Sequence, residues 1–463
     1  MRKAAKPIVR PRRSFIGAAL AAISLTVLPQ PLQAAPASSA PPQHQLFEAE
    51  LMRPENAGLR QFYYYRDNRP LWTAAGQLGP AADAVVHLVE TAGLDDIAPD
   101  QVFATQLRQA VSRARAEGTP EALDAAELAL SRSFAAYVRL TRETPDGVML
   151  YEHVSLQPRE PGVALALQEA AKAPSLAQYV RNMGWLHPFY APMRKAFEEA
   201  GGSEAPMRRT FLANLARIRG LPAVPPGGRY VLVNAAAARL WMYEGDKPVD
   251  SMKVVVGRTD HQTPMMSGYI RYAILNPYWN LPADFTRDKL APRVLKGGAA
   301  YLRKGGYQVM SDWTEHATLV DPQKIDWIAI AAGATDLRVR QLPGAANSMG
   351  RVKFEFPNQL GIYLHDTPEQ ELMGKETRLY SSGCIRLEDA QRLGRWLFKG
   401  AMPAAAEPEQ RVDLPQLVPV YVTYLTLQPE ADGQVIVLGD PYGRDVPSEP
   451  ALAAQSGGFK ASR

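Results

Sequence analysis

The hydrophobic period of this chain changes once, and that change dictates its architecture. Over residues 46–220 apolar side chains recur at helical spacing, most clearly in 81–92 and 122–140, with Ser, Asp and Pro at the breaks. The stretch Leu221-Pro-Ala-Val-Pro-Pro-Gly-Gly228 ends that pattern and reads as a domain boundary. Beyond it, short strands are expected at 230–234, 239–243 and 249–256, the last two joined at Glu244-Gly-Asp246. The series continues at 270–275, 361–365, 418–427 and 434–438. Between Pro282 and Phe354 lies a helical and irregular stretch containing Lys296-Gly-Gly298 and Lys304-Gly-Gly306. An insertion of that length in a β domain is more often a lid or binding segment than an idle loop. The expectation is an α+β chain: a helical domain over 46–220, then a mainly β domain over 229–428. A capping segment is inserted at 282–350, and a hairpin and tail follow over 429–463.

The first residues are of another kind. Arg2, Lys3, Lys6, Arg10, Arg12 and Arg13 precede an apolar run over 15–28 and a stretch of small residues, Pro29-Gln-Pro-Leu-Gln-Ala-Ala-Pro-Ala37. A basic start, a short apolar run and a small-residue cleavage region are the parts of a signal peptide, assigned to 1–35. Arg12-Arg13-Ser-Phe-Ile resembles a twin-arginine signal, and an uncleaved leader would anchor the chain to the membrane. Residues 36–45, rich in Ala, Ser, Pro and Gln, read as a linker. The six leader cations exceed the formal charge of +5, so the remainder carries about −1. No basic footprint for nucleic acid survives that subtraction. The leader implies export, with the periplasm as the expected compartment. Aromatic residues Phe62-Tyr-Tyr-Tyr65 and Trp72 are read as packing between helices, with a ligand surface as the alternative.

Chemistry concentrates around the single cysteine, Cys384. One thiol cannot form an intramolecular disulfide, and oxidising compartments select against idle thiols. On a strand Gly361-Ile-Tyr-Leu-His365, alternation puts Gly361, Tyr363 and His365 on one face. Ser381-Ser-Gly-Cys-Ile-Arg386 is followed by Ala390, Leu393 and Leu397 at helical spacing. Cys384 is therefore expected just ahead of a helix, whose positive end would favour the thiolate, with Arg386 adding charge. Gly383 lets the backbone approach a carbonyl, and the N–H groups around Cys384 suit an oxyanion hole. These parts describe thiol acyl transfer, with Cys384 as nucleophile and His365 as base and later acid. Asp366 points away by alternation, leaving a backbone carbonyl to orient the imidazole. One Cys and scattered His offer too few ligands for a metal site. A papain-like protease would place its Cys early and its His far downstream.

His365 with Ser381-Ser-Gly-Cys384 and Arg386 resembles the active-site signature of the L,D-transpeptidases, the YkuD-type catalytic domain. The match extends over Gly257-Arg-Thr, Thr263-Pro, Asn276-Pro-Tyr-Trp-Asn280, Arg340-Gln-Leu-Pro-Gly344 and Lys353-Phe-Glu-Phe-Pro-Asn358, which resemble the YcbB-like subfamily. Residues 46–220 resemble that subfamily's helical scaffold domain. Only about 207–228 separates the two, too short for the peptidoglycan-binding module usual in that branch. Ser382 and Arg386 stand where many members carry His and Asn.

The resemblance implies a peptidoglycan L,D-transpeptidase that forms 3-3 cross-links through a thioester on Cys384, releasing D-alanine. Donor tetrapeptide and acceptor stems would be its partners, with cell-wall synthesis proteins a further class. Carbapenems would be covalent inhibitors, and neither metal nor organic cofactor is implied. Gly383 and Arg386 would shape the site, and Tyr363, Ser382, Tyr278 and Trp279 would contact substrate. An L,D-carboxypeptidase and an enzyme anchoring lipoproteins to the wall fit the same residues. A non-catalytic wall scaffold is the alternative of another class.

Overall fold

The computed structural model describes residues 43–445 apart from 206, 224–227, 431 and 432. The expected signal peptide, most of the expected linker and the tail past 445 lie outside the described residues. A helix, Gln43–Leu51, already begins within the stretch read as linker. Among the described residues no helix is long and apolar enough to cross a membrane.

The N-terminal domain is helical. Its longest helix, Pro120–Arg142, starts at Thr119, whose hydroxyl accepts the Ala122 N–H at 3.3 Å, with Pro at the first position. Its inner face buries Leu130, Phe134, Tyr137 and Val138. Phe134 packs edge-to-face between Trp72 and Trp185, at centroid distances of 5.2 and 5.3 Å. Phe62, Tyr63 and Trp72 are buried as packing residues, whereas Tyr64 and Tyr65 of the same run are exposed. Glu127, buried on that helix, gathers the N–H groups of Leu71, Trp72 and Thr73 and the Tyr63 hydroxyl. It pins the chain as it leaves the helix Ala57–Tyr64.

In the β domain, eight strands close into a ring among the described residues. The hairpin Arg229–Asn234, Arg239–Glu244 and Lys247–Gly257 runs antiparallel, its second turn passing through Gly245 at φ +66°. Lys247–Gly257 then pairs with Ile385–Leu387, which lies parallel to Leu364–His365. That short strand pairs with Val352–Glu355, and Val352–Glu355 pairs with Met266–Leu275. The long strand Gln410–Thr423 closes the ring between Met266–Leu275 and Arg229–Asn234. Closure leaves few open edges, and alternate residues fill an interior of Val231, Val233, Leu240, Val254, Ile270, Phe354 and Leu364. The 361–365 strand is shorter than expected: only Leu364–His365 pairs, because Asn358 instead binds the Ile362 N–H and carbonyl.

The insert builds its own small layer. Strands Trp279–Asn280, Arg338–Gln341 and Tyr307–Met310 form a three-stranded sheet under helices Ala291–Lys304 and Trp327–Ala331. Leu290, Val294, Leu302, Val309, Trp327, Ile330 and Val339 make its separate core. Lys296-Gly-Gly298 marks a kink, with Gly298 at φ +59° inside the helix. The C-terminal hairpin, Leu427–Pro429 with Val435–Val437, packs back on the helical domain. There Leu425 and Leu427 join the helical core, and Asn214 takes the Thr426 and Leu427 N–H groups at 2.9 and 3.2 Å.

Candidate active site

Register brings the predicted residues together. In the parallel pair, Leu364 lies opposite Ile385 and His365 opposite Arg386. This seats Cys384, one residue before its strand, beside Tyr363, whose carbonyl accepts the Ile385 N–H at 3.0 Å. The Tyr363 hydroxyl hydrogen-bonds the thiol, and Sγ lies 3.6 Å from the Gly361 carbonyl oxygen. Tyr363 and His365 rings stand 5.8 Å apart. Cys384 keeps part of its surface open, while His365 is buried at 2% exposure, so the nucleophile is reachable and the base is sheltered.

His365 is oriented by backbone. Its Nδ1 lies 2.6 Å from the Asp366 carbonyl oxygen, and a second backbone hydrogen bond joins the ring to Met349, at the end of the insert. An Nδ1 proton donated to Asp366 leaves the lone pair on Nε2. The Asp366 carboxylate faces elsewhere and accepts the Arg351 N–H at 2.8 Å.

The resting charge state differs from the expected one. Cys384 does not precede a helix directly: the strand Ile385–Leu387 intervenes, and the helix Ala390–Phe398 begins after Asp389, which caps the Arg392 N–H at 2.9 Å. The start of that helix is therefore not at the thiol. Burial, together with the Glu355 charge, pushes the thiol up to about 11 despite the Tyr363 hydrogen bonds and Arg386. Burial, with the Arg386 and Lys353 charges, pulls His365 down to about 3. At neutral pH the pair is thiol and neutral imidazole rather than thiolate and imidazolium.

The remaining predicted residues are distributed unevenly. Gly383 sits at φ +111°, and a Cβ there would stand 3.1 Å from Ile362 Cδ1, so this turn requires glycine. Its N–H is already given to Ser381 Oγ at 3.1 Å. Arg386 is largely buried and hydrogen-bonded to Glu369. Ser382 is exposed on the turn. Tyr278 lies under the Arg340 guanidinium at 4.2 Å, and Trp279 packs edge-to-face on Phe285 at 4.9 Å. Neither shares a hydrogen bond or ring contact with Cys384 or His365 among the described residues, and both stand at the root of the insert.

Three charged residues near the site were given no role in the sequence, although Lys353 and Glu355 lie within the Lys353-Phe-Glu-Phe-Pro-Asn358 motif. Lys353 pairs with Glu355 at 3.1 Å and Glu409 at 3.6 Å, and its Nζ sits 5.4 Å from the centre of the Tyr363 ring. Lys353 lies opposite His365, so Lys353 and Glu355 share the face of the site. Alternation in Lys353-Phe-Glu-Phe, with Phe354 and Phe356 buried, carried that signal.

Comparison with known proteins bears on the two domains. Residues 228–414 match the model of the YkuD family, described as the L,D-transpeptidase catalytic domain. Residues 57–197 match the Scaffold domain model. A Haemophilus influenzae protein named "Putative L,D-transpeptidase" is 30% identical over 251 residues, covering 52% of this chain and 49% of its own length. The chain thus spans about half of that relative. A solved structure titled "Structure of the Ldtfm-avibactam carbamoyl enzyme" aligns at 14% identity and a TM-score of 0.22, over 44% of this chain and 51% of that one. The family matches are enough to say that this chain carries a YkuD L,D-transpeptidase catalytic domain over 228–414, preceded by a Scaffold domain over 57–197.

Proposed function

We propose that the protein is a periplasmic peptidoglycan L,D-transpeptidase that forms 3-3 cross-links. The Cys384 thiol adds to the carbonyl of the third residue of a donor tetrapeptide stem, and its proton passes to His365. Collapse expels D-alanine, whose amine takes that proton, and leaves a thioester on Cys384. The side-chain amine of a neighbouring stem then attacks the thioester, releasing the thiol and closing the cross-link. A neutral imidazole is the form that can accept a proton, and its low basicity requires the transfer to accompany formation of the C–S bond rather than precede it. No metal or organic cofactor enters the steps, and carbapenems would acylate the same sulfur.

The observation that carries the reading is the placement of Cys384, part open, against Tyr363, whose ring stands 5.8 Å from that of a His365 whose Nδ1 is held by a carbonyl. Intact-mass spectrometry of the purified protein with disaccharide-tetrapeptide, followed by product analysis, tests it. A stem adduct on Cys384 that resolves into cross-linked dimer is the expected result. An adduct resolving only to tripeptide would replace the proposal with an L,D-carboxypeptidase. No adduct from well-folded protein would remove the chemistry, and full wall-modifying function in a Cys384→Ala strain would favour the scaffold alternative.

A further inference from the structure

Residues 440–445 lie beyond the matched catalytic domain, yet they reach the nucleophile's turn through one threonine. Thr263 is fully buried. Its hydroxyl accepts the Gly257 N–H at 2.8 Å and donates to the Gly383 carbonyl at 2.8 Å. Tyr442 grips the same loop, its hydroxyl donating to the Gly257 carbonyl at 2.7 Å and accepting the Thr263 N–H at 3.4 Å. Arg444 donates to Gln262 Oε1 at 2.8 Å and to the Thr263 carbonyl at 3.2 Å. Asp440 fixes that segment by accepting the N–H groups of Arg444 and Asp445, both at 3.0 Å. Asp445 in turn pairs at 2.7 Å with Arg217 of the helix Arg208–Arg219.

The Gly383 carbonyl and the Cys384 N–H belong to one trans peptide, so they point in opposite directions. Anchoring that carbonyl on Thr263 turns the Cys384 N–H away from Thr263. No hydrogen-bond partner for this N–H occurs among the described residues. The adjacent Gly383 N–H is consumed by Ser381, whose hydroxyl also donates to the Cys384 carbonyl at 2.6 Å. Of these two donors the Cys384 N–H is the one left open, and its direction is set by Thr263.

We infer that Thr263, held by the clasp of Tyr442 and Arg444, is the positioning residue that aims the Cys384 N–H at the oxyanion of acyl transfer. The inference rests on the acyl chemistry proposed for Cys384. As the Sγ–C bond forms, the carbonyl π pair moves onto oxygen, and the thiol proton goes to His365. The Cys384 N–H receives the new charge. When the intermediate collapses, the pair returns to rebuild the carbonyl and the leaving group departs. Thr263 touches none of the reacting atoms.

Two reactions of Cys384 separate aiming from folding. Acylation by p-nitrophenyl acetate builds an oxyanion but needs no peptide recognition, whereas alkylation by iodoacetamide builds none. Thr263→Val keeps the shape and removes both hydrogen bonds, and Thr263→Ser restores the hydroxyl. Loss of an oxyanion donor typically slows acyl transfer by roughly a hundredfold or more. Thr263→Val should therefore slow acylation at least tenfold at nearly unchanged KM, with alkylation within about twofold of wild type. Thr263→Ser should recover most of the loss, and Tyr442→Phe should fall between. Equal acylation by Thr263→Val and wild type, or parallel loss of acylation and alkylation, overturns the inference. Should Thr263→Val fail to fold, the same ratio measured on Tyr442→Phe decides. Normal ester acylation with no adduct from disaccharide-tetrapeptide would instead sink the peptidoglycan reading and leave the clasp standing.

Discussion

The resting charge state of the Cys384–His365 pair yields a direct kinetic test. The thiol stands about two pH units above its ordinary 9.0, at about 11, and His365 stands at about 3 rather than 6.5. Two units correspond to about 3 kcal/mol against the thiolate, so at pH 7 on the order of one molecule in ten thousand carries it. The rate of alkylation by iodoacetamide should then rise roughly tenfold per pH unit from pH 6 to 10, because thiolate is the reacting species. Intact-mass measurement of carbamidomethylated Cys384 against time, in buffers of constant ionic strength, gives the profile directly. A stable thiolate–imidazolium pair would behave differently. Its profile would be flat across neutral pH and would fall only when the thiolate is protonated in acid. A plateau between pH 5 and 8 would therefore refute both the neutral pair and the desolvation argument behind it. Glu355→Gln sharpens the test: its charge raises the thiol, so removing it should shift the rising limb to lower pH.

His365→Ala should slow acyl transfer from an unactivated stem by roughly 10²–10⁴-fold while leaving iodoacetamide alkylation at fixed pH little changed, measured by intact mass. In the helical domain, Asp95 is buried against Arg194 at 2.9 Å and accepts the Tyr190 hydroxyl at 2.9 Å. Asp95→Asn strands a buried guanidinium and should cost about 3 kcal/mol, read from urea unfolding midpoints; a loss below about 1 kcal/mol would contradict the packing described. His187, like His365, is pulled by burial to about 3 in the folded state, well below 6.5. The unfolded chain therefore binds protons first as the pH falls. Stability from each neutral histidine is complete above pH 6.5 and is lost on acidification towards pH 3, by about 3 kcal/mol each at pH 4.5. Unfolding free energy that stays level between pH 6.5 and 4.5 would exclude this.

Legibility in the sequence followed the range of the determining interaction. The helical and β halves could be read because burial alone sets their periods. The carbonyl partner of His365 was equally legible, since strand alternation turns the Asp366 side chain away from its neighbour. The helix carrying Ala390, Leu393 and Leu397 is there, capped by Asp389, but it does not start at Cys384 as expected. Glu388 and Asp389 suit a helix start, but Ile385 and Leu387 are wanted by the barrel interior, and the strand takes them first. Apolar residues at 385 and 387 fit both periods, so local pattern could not choose.

What the sequence hid altogether is the long-range support of the turn. Thr263 stands 120 residues from its Gly383 partner, and Tyr442 stands 185 from the Gly257 carbonyl it holds. No periodicity joins positions so far apart. Only ring closure brings them together, when Gln410–Thr423 pairs with Met266–Leu275 and the chain then continues back across the end of the barrel. The consequence is mechanical as well as topological. Arg217 of the helical domain, Asp445, Arg444, Thr263 and the Gly383–Cys384 peptide form one run of direct contacts. A change at its far end would therefore be felt first as a tilt of a single peptide plane, and in acyl transfer before alkylation.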